Sequence, residues 1–290
     1  MIVRRRQPVL VQGITGRQGR FWTARMRDYG TAVVGGVNPN KAGTTLDGLP
    51  VFASAAAARR AVDFEVAVMF VPPMAARAAA LDACEAGARL LVVLTEFIPI
   101  QDVMAIHAAA RHHGTQVVGP NTAGLVTPGE CFVGIMPGFS DNIFRPGRVG
   151  VVSRSGSLGT LICLNLVQAG YGQSAFVGVG GDPIPGVTFR DALEAFEHDP
   201  GTDAVVVVGE IGGDMEERAA EFAATMAKPV LAFIAGRSAP PGKRMGHAGA
   251  IVMGDRGTWE SKAKAMAGAG VRVLEVPAQV GPALAAALEA

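Results

Sequence analysis

The sequence predicts an α/β protein made of two successive domains, each a parallel sheet with helices on both faces. Short β-branched runs alternate with Ala-rich segments of helical period along most of the chain, the pattern of strands buried between helix layers. The alternation breaks once, between Gly119 and Gly147, where four prolines and six glycines crowd a stretch with neither period. The length, 290 residues, also suits two ordinary domains better than one large core.

In chain order, strands are expected at Val9 to Val11, Ala32 to Val37, Glu65 to Val71, Leu90 to Leu94 and Gln116 to Val118, with helices between most of them. After the break come strands at Val149 to Val152, Ala175 to Val179, Ala204 to Val208, Val230 to Ile234 and Val271 to Val276, and a closing helix over Gln279 to Ala290. The expected division is residues 1–123, a connecting segment over 124–147, and residues 148–290.

Composition narrows the function. Hydrophobic residues make up 49% of the chain and charged residues 18%, with 38 glycines, which excludes a disordered, collagen-like or coiled-coil protein. Lys plus Arg number 26 and Asp plus Glu 25, for a net charge of +1. No bulk field steers such a chain toward nucleic acid or an anionic membrane, so any anion must be caught locally. Cys84, Cys131 and Cys163 are too few and too scattered for a disulfide framework or a zinc site, and a reducing cytoplasm is the expected compartment. The basic start is not followed by the apolar core of a targeting signal. The uncharged run from Ser155 to Gly181 is interrupted by Asn165, Gln168 and Gln173 and is not expected to span a membrane.

Gly13-Ile14-Thr15-Gly16-Arg17-Gln18-Gly19 follows the first strand and opens a helix. Glycine permits the tight turn, and the free N–H groups of the helix start suit a phosphate. A structural turn without a ligand is the alternative. Dinucleotide enzymes place an Asp or Glu near the end of the second strand for the ribose hydroxyls, but here that region reads Gly35-Gly36-Val37-Asn38-Pro39-Asn40-Lys41. The missing carboxylate counts against NAD, and Lys41 suits a phosphate-bearing ligand such as coenzyme A.

The second half repeats the idea at Val152-Ser153-Arg154-Ser155-Gly156-Ser157, where a strand runs through small residues into a helix. Ser155 and Ser157 can cap that helix or donate to an anion. Glu210 ends the apolar strand from Ala204, where a carboxylate faces the ligand crevice of a parallel sheet or caps a helix. Gly236 to Ala250 is a loop far longer than a β-to-α connection needs. Its His247, close to Gly246 and Gly249, is placed to act as a nucleophile if a carboxylate such as Glu210 holds its second ring nitrogen. His107, His112, His113 and His198 read as surface residues of helices, and no metal site is expected.

Together with Tyr29-Gly30-Thr31, Gly119-Pro120-Asn121, Thr127-Pro128-Gly129-Glu130, Gly178 to Gly186, Gly209 to Gly213 and Gly242 to Ala250, these segments resemble the α-subunit family of succinyl-CoA synthetase, which includes malate-CoA ligases. The resemblance spans nearly the whole chain. It implies a Rossmann-like CoA-binding domain followed by a flavodoxin-like ligase domain, in which His247 becomes phosphorylated and Glu210 is its carboxylate partner. It carries CoA contacts to Thr15, Gly16, Arg17, Gln18, Lys41, Val71, Pro72, Leu94, Thr95, Glu96 and Asn121, and phosphate contacts to Ser155, Gly156 and Ser157. It further implies that a partner β subunit of ATP-grasp fold binds ATP or GTP with magnesium, in a hetero-oligomer without which this chain is half an enzyme. Phosphoryl then passes from nucleotide to histidine to a small carboxylic acid, and a thiol attacks the acyl phosphate.

The sequence departs from the family's usual Tyr-Glu pair at Thr160-Leu161, and malate-type members share the glycine at Gly159. The expected acid is therefore a substituted relative of succinate, such as malate or citrate, with Gly159 and Thr160 beside it. The competing readings are a stand-alone nucleotide-dependent oxidoreductase and a non-catalytic CoA-binding regulatory protein.

Overall fold

The computed structural model describes residues 1–239, 246, 247, 249–252 and 257–289. Two compact units result. One comprises Val3–Phe139 and Ile184–Gly186 with Met1, the other Ser140–Pro183 and Val187–Ala290 with Ile2.

The first unit runs β1 (Val9–Gln12), α1 (Arg17–Tyr29), β2 (Val33–Val37), β3 (Thr45–Leu46), β4 (Leu49–Phe52), α2 (Ala55–Arg59), β5 (Val66–Met69), α3 (Pro73–Glu85), β6 (Leu90–Val93), α4 (Ile100–His113) and β7 (Gln116–Val118). A hairpin of β8 (Gly124–Thr127) and β9 (Cys131–Gly134) follows. The sheet order is β3-β4-β2-β1-β5-β6-β7. Leaving out β3, which is antiparallel to β4, the strands are parallel and run third, second, first, fourth, fifth, sixth. This is the doubly wound order, whose crevice opens beyond the carboxyl ends of β1 and β5, where the winding reverses.

The strands are apolar on both faces because helices cover both. Leu10, Met69, Leu91 and Val93 pack with Ala76, Ala80 and Ala83 of α3 and Ile106 of α4 in one core, the alanines letting α3 lie close to the sheet. Helix α1 buries Gly19, Thr23 and Met26, one stripe of helical spacing, and stops at Gly30 in the left-handed conformation.

The second unit runs β10 (Pro146–Ser153), α5 (Gly156–Gln168), β11 (Gln173–Gly178), α6 (Phe189–His198), β12 (Ala204–Glu210), α7 (Met215–Ala223), β13 (Val230–Ala235), α8 (Trp259–Gly268), β14 (Arg272–Leu274) and α9 (Val280–Leu288). Its parallel strands lie in the order β14-β13-β12-β10-β11. Numbered within the unit this is the flavodoxin-like order, with the switch point between β10 and β12. Every residue of β12 is buried.

Three local features differ from the expectation. The turn Asp47-Gly48, with φ of 49° and 81°, joins β3 to β4, two strands too short to show an alternating pattern; both turn residues take the left-handed region that a two-residue hairpin requires. Within 119–147, Pro128-Gly129 turns β8 into β9. Strand β14 covers only Arg272–Leu274, because the chain passes at Pro277 into a single 3-10 turn.

Among the described residues no helix is long and apolar enough to cross a membrane. The three cysteines are buried and not disulfide-bonded, and burial pushes the Cys131 thiol up to about 12, far from a reactive thiolate.

Candidate functional site

The glycine turn after β1 is shaped by close backbone approach. Gly13 has φ of 79°, and a Cβ there would lie 2.3 Å from the Phe70 carbonyl oxygen. A Cβ on Gly19 would lie 2.2 Å from the Gly13 carbonyl oxygen, so only glycine lets the first turn of α1 close on the strand end. Gly16 is the N-cap of α1 and no side chain caps the turn. Its N–H donors are thereby left for an anion.

Two cavities meet at this turn. One, of about 580 Å³, is lined by Gly13, Gly16, Asn38, Ser54 and Pro72. The other, of about 640 Å³, is lined by Gln18, Trp22, Leu94, Thr95 and Glu96, and Phe70 and Val71 belong to both. They bring together seven of the eleven residues singled out for CoA. The other four stand apart. Thr15 accepts a hydrogen bond from Asn38 Nδ2, Arg17 and Lys41 are exposed outside the cavity walls, and Asn121, at φ of 56°, donates its N–H to the Thr95 carbonyl at 3.0 Å.

At the end of β2, Asn38 ties its side chain to the turn, accepting from the Asn40 N–H at 3.0 Å. The cavity does hold one carboxylate that sequence reasoning missed, Asp82 of α3. It accepts from the N–H groups of Ala55 and Ala56 at 2.5 and 3.2 Å, capping α2. Nothing in the local sequence around Asp82 announces this, since its partners lie across the fold.

The second unit gathers its polar groups at its own switch point. Ser155, the N-cap of α5, accepts from the Leu158 N–H at 3.3 Å and lies 3.1 Å from the Ser157 hydroxyl. Glu210, buried at the end of β12, has both carboxylate oxygens 2.9 Å from His247 Nδ1. Ser155, Ser157, Leu158, Glu210, Gly236 and His247 line a cavity of about 380 Å³. Pro240 to Met245 and Ala248, part of the same loop, lie outside the described residues.

The His247 pKa is raised, first by its hydrogen bond to Glu210 and then by the charges of Glu210 and Asp182; burial and the Arg154 charge oppose the rise. The ring lies close against Gly181, where a Cβ would lie 2.5 Å from His247 Cγ. With Nδ1–H donated to Glu210, Nε2 keeps the lone pair and is the ring nitrogen chemically able to act as a nucleophile.

Gly159 and Thr160, the residues expected beside the acid, are not among the residues that line this cavity. A Cβ on Gly159 would lie 2.5 Å from the Phe176 ring, so the glycine serves close packing of α5 on β11. Thr160 donates back to the Gly156 carbonyl at 2.7 Å, and Gly156 opens α5 without lining the cavity. Sequence reasoning also passed over three buried charged residues behind Glu210, namely Arg154, Glu216 and Lys262. Their only local signal was an arginine between two small residues at a strand end.

Family comparison agrees with both units. A CoA binding domain matches residues 4–97 and a CoA-ligase domain residues 152–272. The chain is 52% identical over 267 residues to succinate–CoA ligase (ADP-forming) subunit alpha 1 of Archaeoglobus fulgidus, covering 92% of this chain and 91% of that one. It is 44% identical over 282 residues to a subunit of ADP-forming sulfoacetate-CoA ligase from Bilophila wadsworthia, covering 97% and 96%. Its fold matches ATP citrate lyase from Methanothrix soehngenii, solved with citrate and coenzyme A, with a TM-score of 0.88 at 25% identity, over all of this chain and 50% of that one. With relatives this similar over nearly its whole length, the chain belongs to the CoA-ligase family, among the succinate–CoA ligase alpha subunits.

Proposed function

We propose that this chain is the CoA-binding, phosphoryl-carrying subunit of a nucleoside-diphosphate-forming acid–CoA ligase, with His247 as the phosphoryl carrier. The observation that carries the reading is the bond from His247 Nδ1 to Glu210 in a cavity that also holds the Ser155 start of α5. Glu210 holds the Nδ1 proton and steadies the positive charge that grows on the ring as Nε2 takes a phosphoryl group. The N–H groups opening α5, with the hydroxyls of Ser155 and Ser157, face the phosphoryl oxygens. When the phosphoryl group leaves for a carboxylate oxygen of the acid, the P–N bond breaks and its electron pair returns to Nε2.

The cleft of the first unit fits CoA: its glycine cradle is closed to any side chain, and its helix start is free for phosphate. Gly16, Gln18, Val71, Pro72, Leu94, Thr95 and Glu96 would hold the ligand, with Thr15 and Asn121 bracing the surrounding loops and Arg17 and Lys41 as outlying cations. CoA, when bound, supplies the thiol that takes the acyl group. Residues 1–123 then form the CoA part and 148–290 the phosphohistidine part. An ATP-grasp β subunit that binds ATP or GTP with magnesium is the proposed phosphoryl source, as the alpha-subunit relatives suggest. The acid is a small carboxylate with a further anionic group, of the succinate, malate or citrate type. Gly159 and Thr160, early in α5, are proposed to contribute to the choice among these.

Two measurements test this. The complex with its β subunit, given γ-labelled nucleotide, is expected to carry an acid-labile label that the His247→Ala variant lacks; equal labelling of the variant overturns the reading. In calorimetric titrations of the full chain, CoA is expected to bind at least about tenfold more tightly than NAD, ~1.4 kcal/mol. Tighter binding of NAD would revive the oxidoreductase reading.

A further inference from the structure

Behind Glu210 lies a chain of buried charges that phosphoryl transfer does not itself require. Arg154 Nε stands 3.3 Å from Glu210 Oε1, and Arg154 Nη1 stands 3.7 Å from Glu216 Oε1. Glu216 is fully buried and pairs with the fully buried Lys262, which also donates to Glu217 at 3.1 Å and to the Gly213 carbonyl at 3.0 Å. The Glu216 carboxylate also accepts the Glu210 backbone N–H at 3.0 Å. Charges therefore alternate in sign from His247 through Glu210, Arg154, Glu216 and Lys262 to Glu217.

The glycines of this region make room for that chain. A Cβ on Gly209 would lie 2.7 Å from Glu216 Cγ, and one on Gly249 would lie 2.6 Å from Arg154 Nη2. The Gly212 carbonyl accepts from Arg154 Nη1 at 2.9 Å. Arg154 is thus wedged between the end of β12 and the His247 loop, and among the described residues its Nε–H has no hydrogen-bond partner of its own. Stability is a poor reason for such an arrangement, since buried ion pairs cost about as much in desolvation as they return.

We propose that Arg154, held in place by Glu216 and Lys262, is a positioning residue that shares the Glu210 carboxylate with His247 and so sets the pH range in which His247 is an unprotonated nucleophile. The inference rests on the reading of His247 as the phosphoryl carrier. Left alone with a carboxylate, the imidazole would hold a proton that blocks Nε2 from attack; a cation behind the carboxylate weakens that hold. Among the described residues, the charges acting on the ring are Glu210 from β12, Arg154 from the end of β10 and Asp182 from the segment after β11. Glu216 and Lys262 act through Arg154, in opposite senses. Removing the Lys262 charge frees Glu216 to draw Arg154 away from Glu210, which raises the His247 midpoint. Removing the Glu216 charge returns Arg154 wholly to Glu210, which lowers it.

The test is a carbon-13 NMR titration of the histidine rings in the full chain, the His247 signal being assigned by its loss in His247→Ala. Relative to the parent, Lys262→Met is expected to raise the midpoint and Glu216→Gln to lower it, each by about half a pH unit. In the complex, the pH profile of histidine phosphorylation should move in the same two directions. Opposite shifts larger than about 0.2 unit support the proposal, and any other pattern overturns it. A purely structural role would cost stability in both variants without opposite shifts. Should either buried variant fail to fold, Glu217→Gln keeps the buried pair and must lower the midpoint; no shift there overturns the proposal. The titration needs no phosphorylation, so an unlabelled parent complex would refute the proposed function and leave this result readable.

Discussion

The Glu210→Gln complex is expected to phosphorylate His247 at least about 100-fold more slowly than the parent, the scale of general acid–base and orienting effects. Glutamine occupies nearly the same volume but offers an amide in place of two acceptor oxygens that both stand 2.9 Å from Nδ1. The ring then keeps at most one neutral acceptor for its Nδ1–H, beside an NH2 that can only donate, and the positive charge that grows on it during transfer loses its counter-charge. The change also leaves Arg154, itself only 3% exposed, with a weaker partner, so some loss of stability accompanies it. The pH dependence separates the two effects. Because the His247 pKa is raised in the fold, its contact with Glu210 contributes stability that is complete below the ordinary imidazole value of about 6.5 and is lost as pH rises through the higher folded value. Glu210→Gln should flatten that part of the stability curve as well as slow the reaction. Rapid-quench labelling across a pH series decides the matter, and a fall of less than about threefold, ~0.7 kcal/mol, would remove Glu210 from the mechanism.

Gly181→Ala is expected to slow phosphorylation by a similar factor while leaving CoA affinity within about twofold of the parent, ~0.4 kcal/mol. The added Cβ would stand 2.5 Å from Cγ and 2.8 Å from Nδ1 of His247, about 1 Å inside ordinary carbon contact. Either the ring or the Gly181 backbone must retreat. Gly181 also accepts the Gly249 N–H at 3.1 Å, so its backbone is tied to the loop and the ring is the freer of the two. A displacement of about 1 Å near a reacting atom costs on the order of 100-fold. The glycine turn and cavities of the first unit contain no part of this contact, which is why CoA titration serves as the control. An unchanged phosphorylation rate would mean that the His247 ring does not depend on this packing.

Much of this was legible in the sequence because it depends on neighbours along the chain. A run such as Ala204 to Val208 is apolar at every position, so it can only be a strand covered on both faces. Gly13, Gly16 and Gly19 sit where a strand turns into a helix, and their spacing already places a free helix start at the strand end. His247 and Glu210 each stood out from the residues around them, as a histidine near glycines in a long loop and a carboxylate at the end of an apolar strand. The paired short strands β3–β4 and β8–β9 also had local marks, Asp47-Gly48 and Pro128-Gly129, but segments of two to four residues carry too few positions for a period to be seen.

The α/β class, the strand and helix order, the glycine cradle and the proposed nucleophile with its acid were thus readable from residues close together in the chain. The surroundings of Gly159, Asp82, Arg154, Glu216 and Lys262 are visible only in the tertiary structure. Gly159 packs against the Phe176 ring, a neighbour that its own segment does not announce. Glu216 in the first turn of a helix reads as an ordinary partner of the helix dipole. Its burial becomes visible only when Lys262, 46 positions later, arrives beside it. A charged side chain carries no local sign of whether it will face water or another charge, because desolvation and pairing depend on elements that meet only when the sheet is assembled.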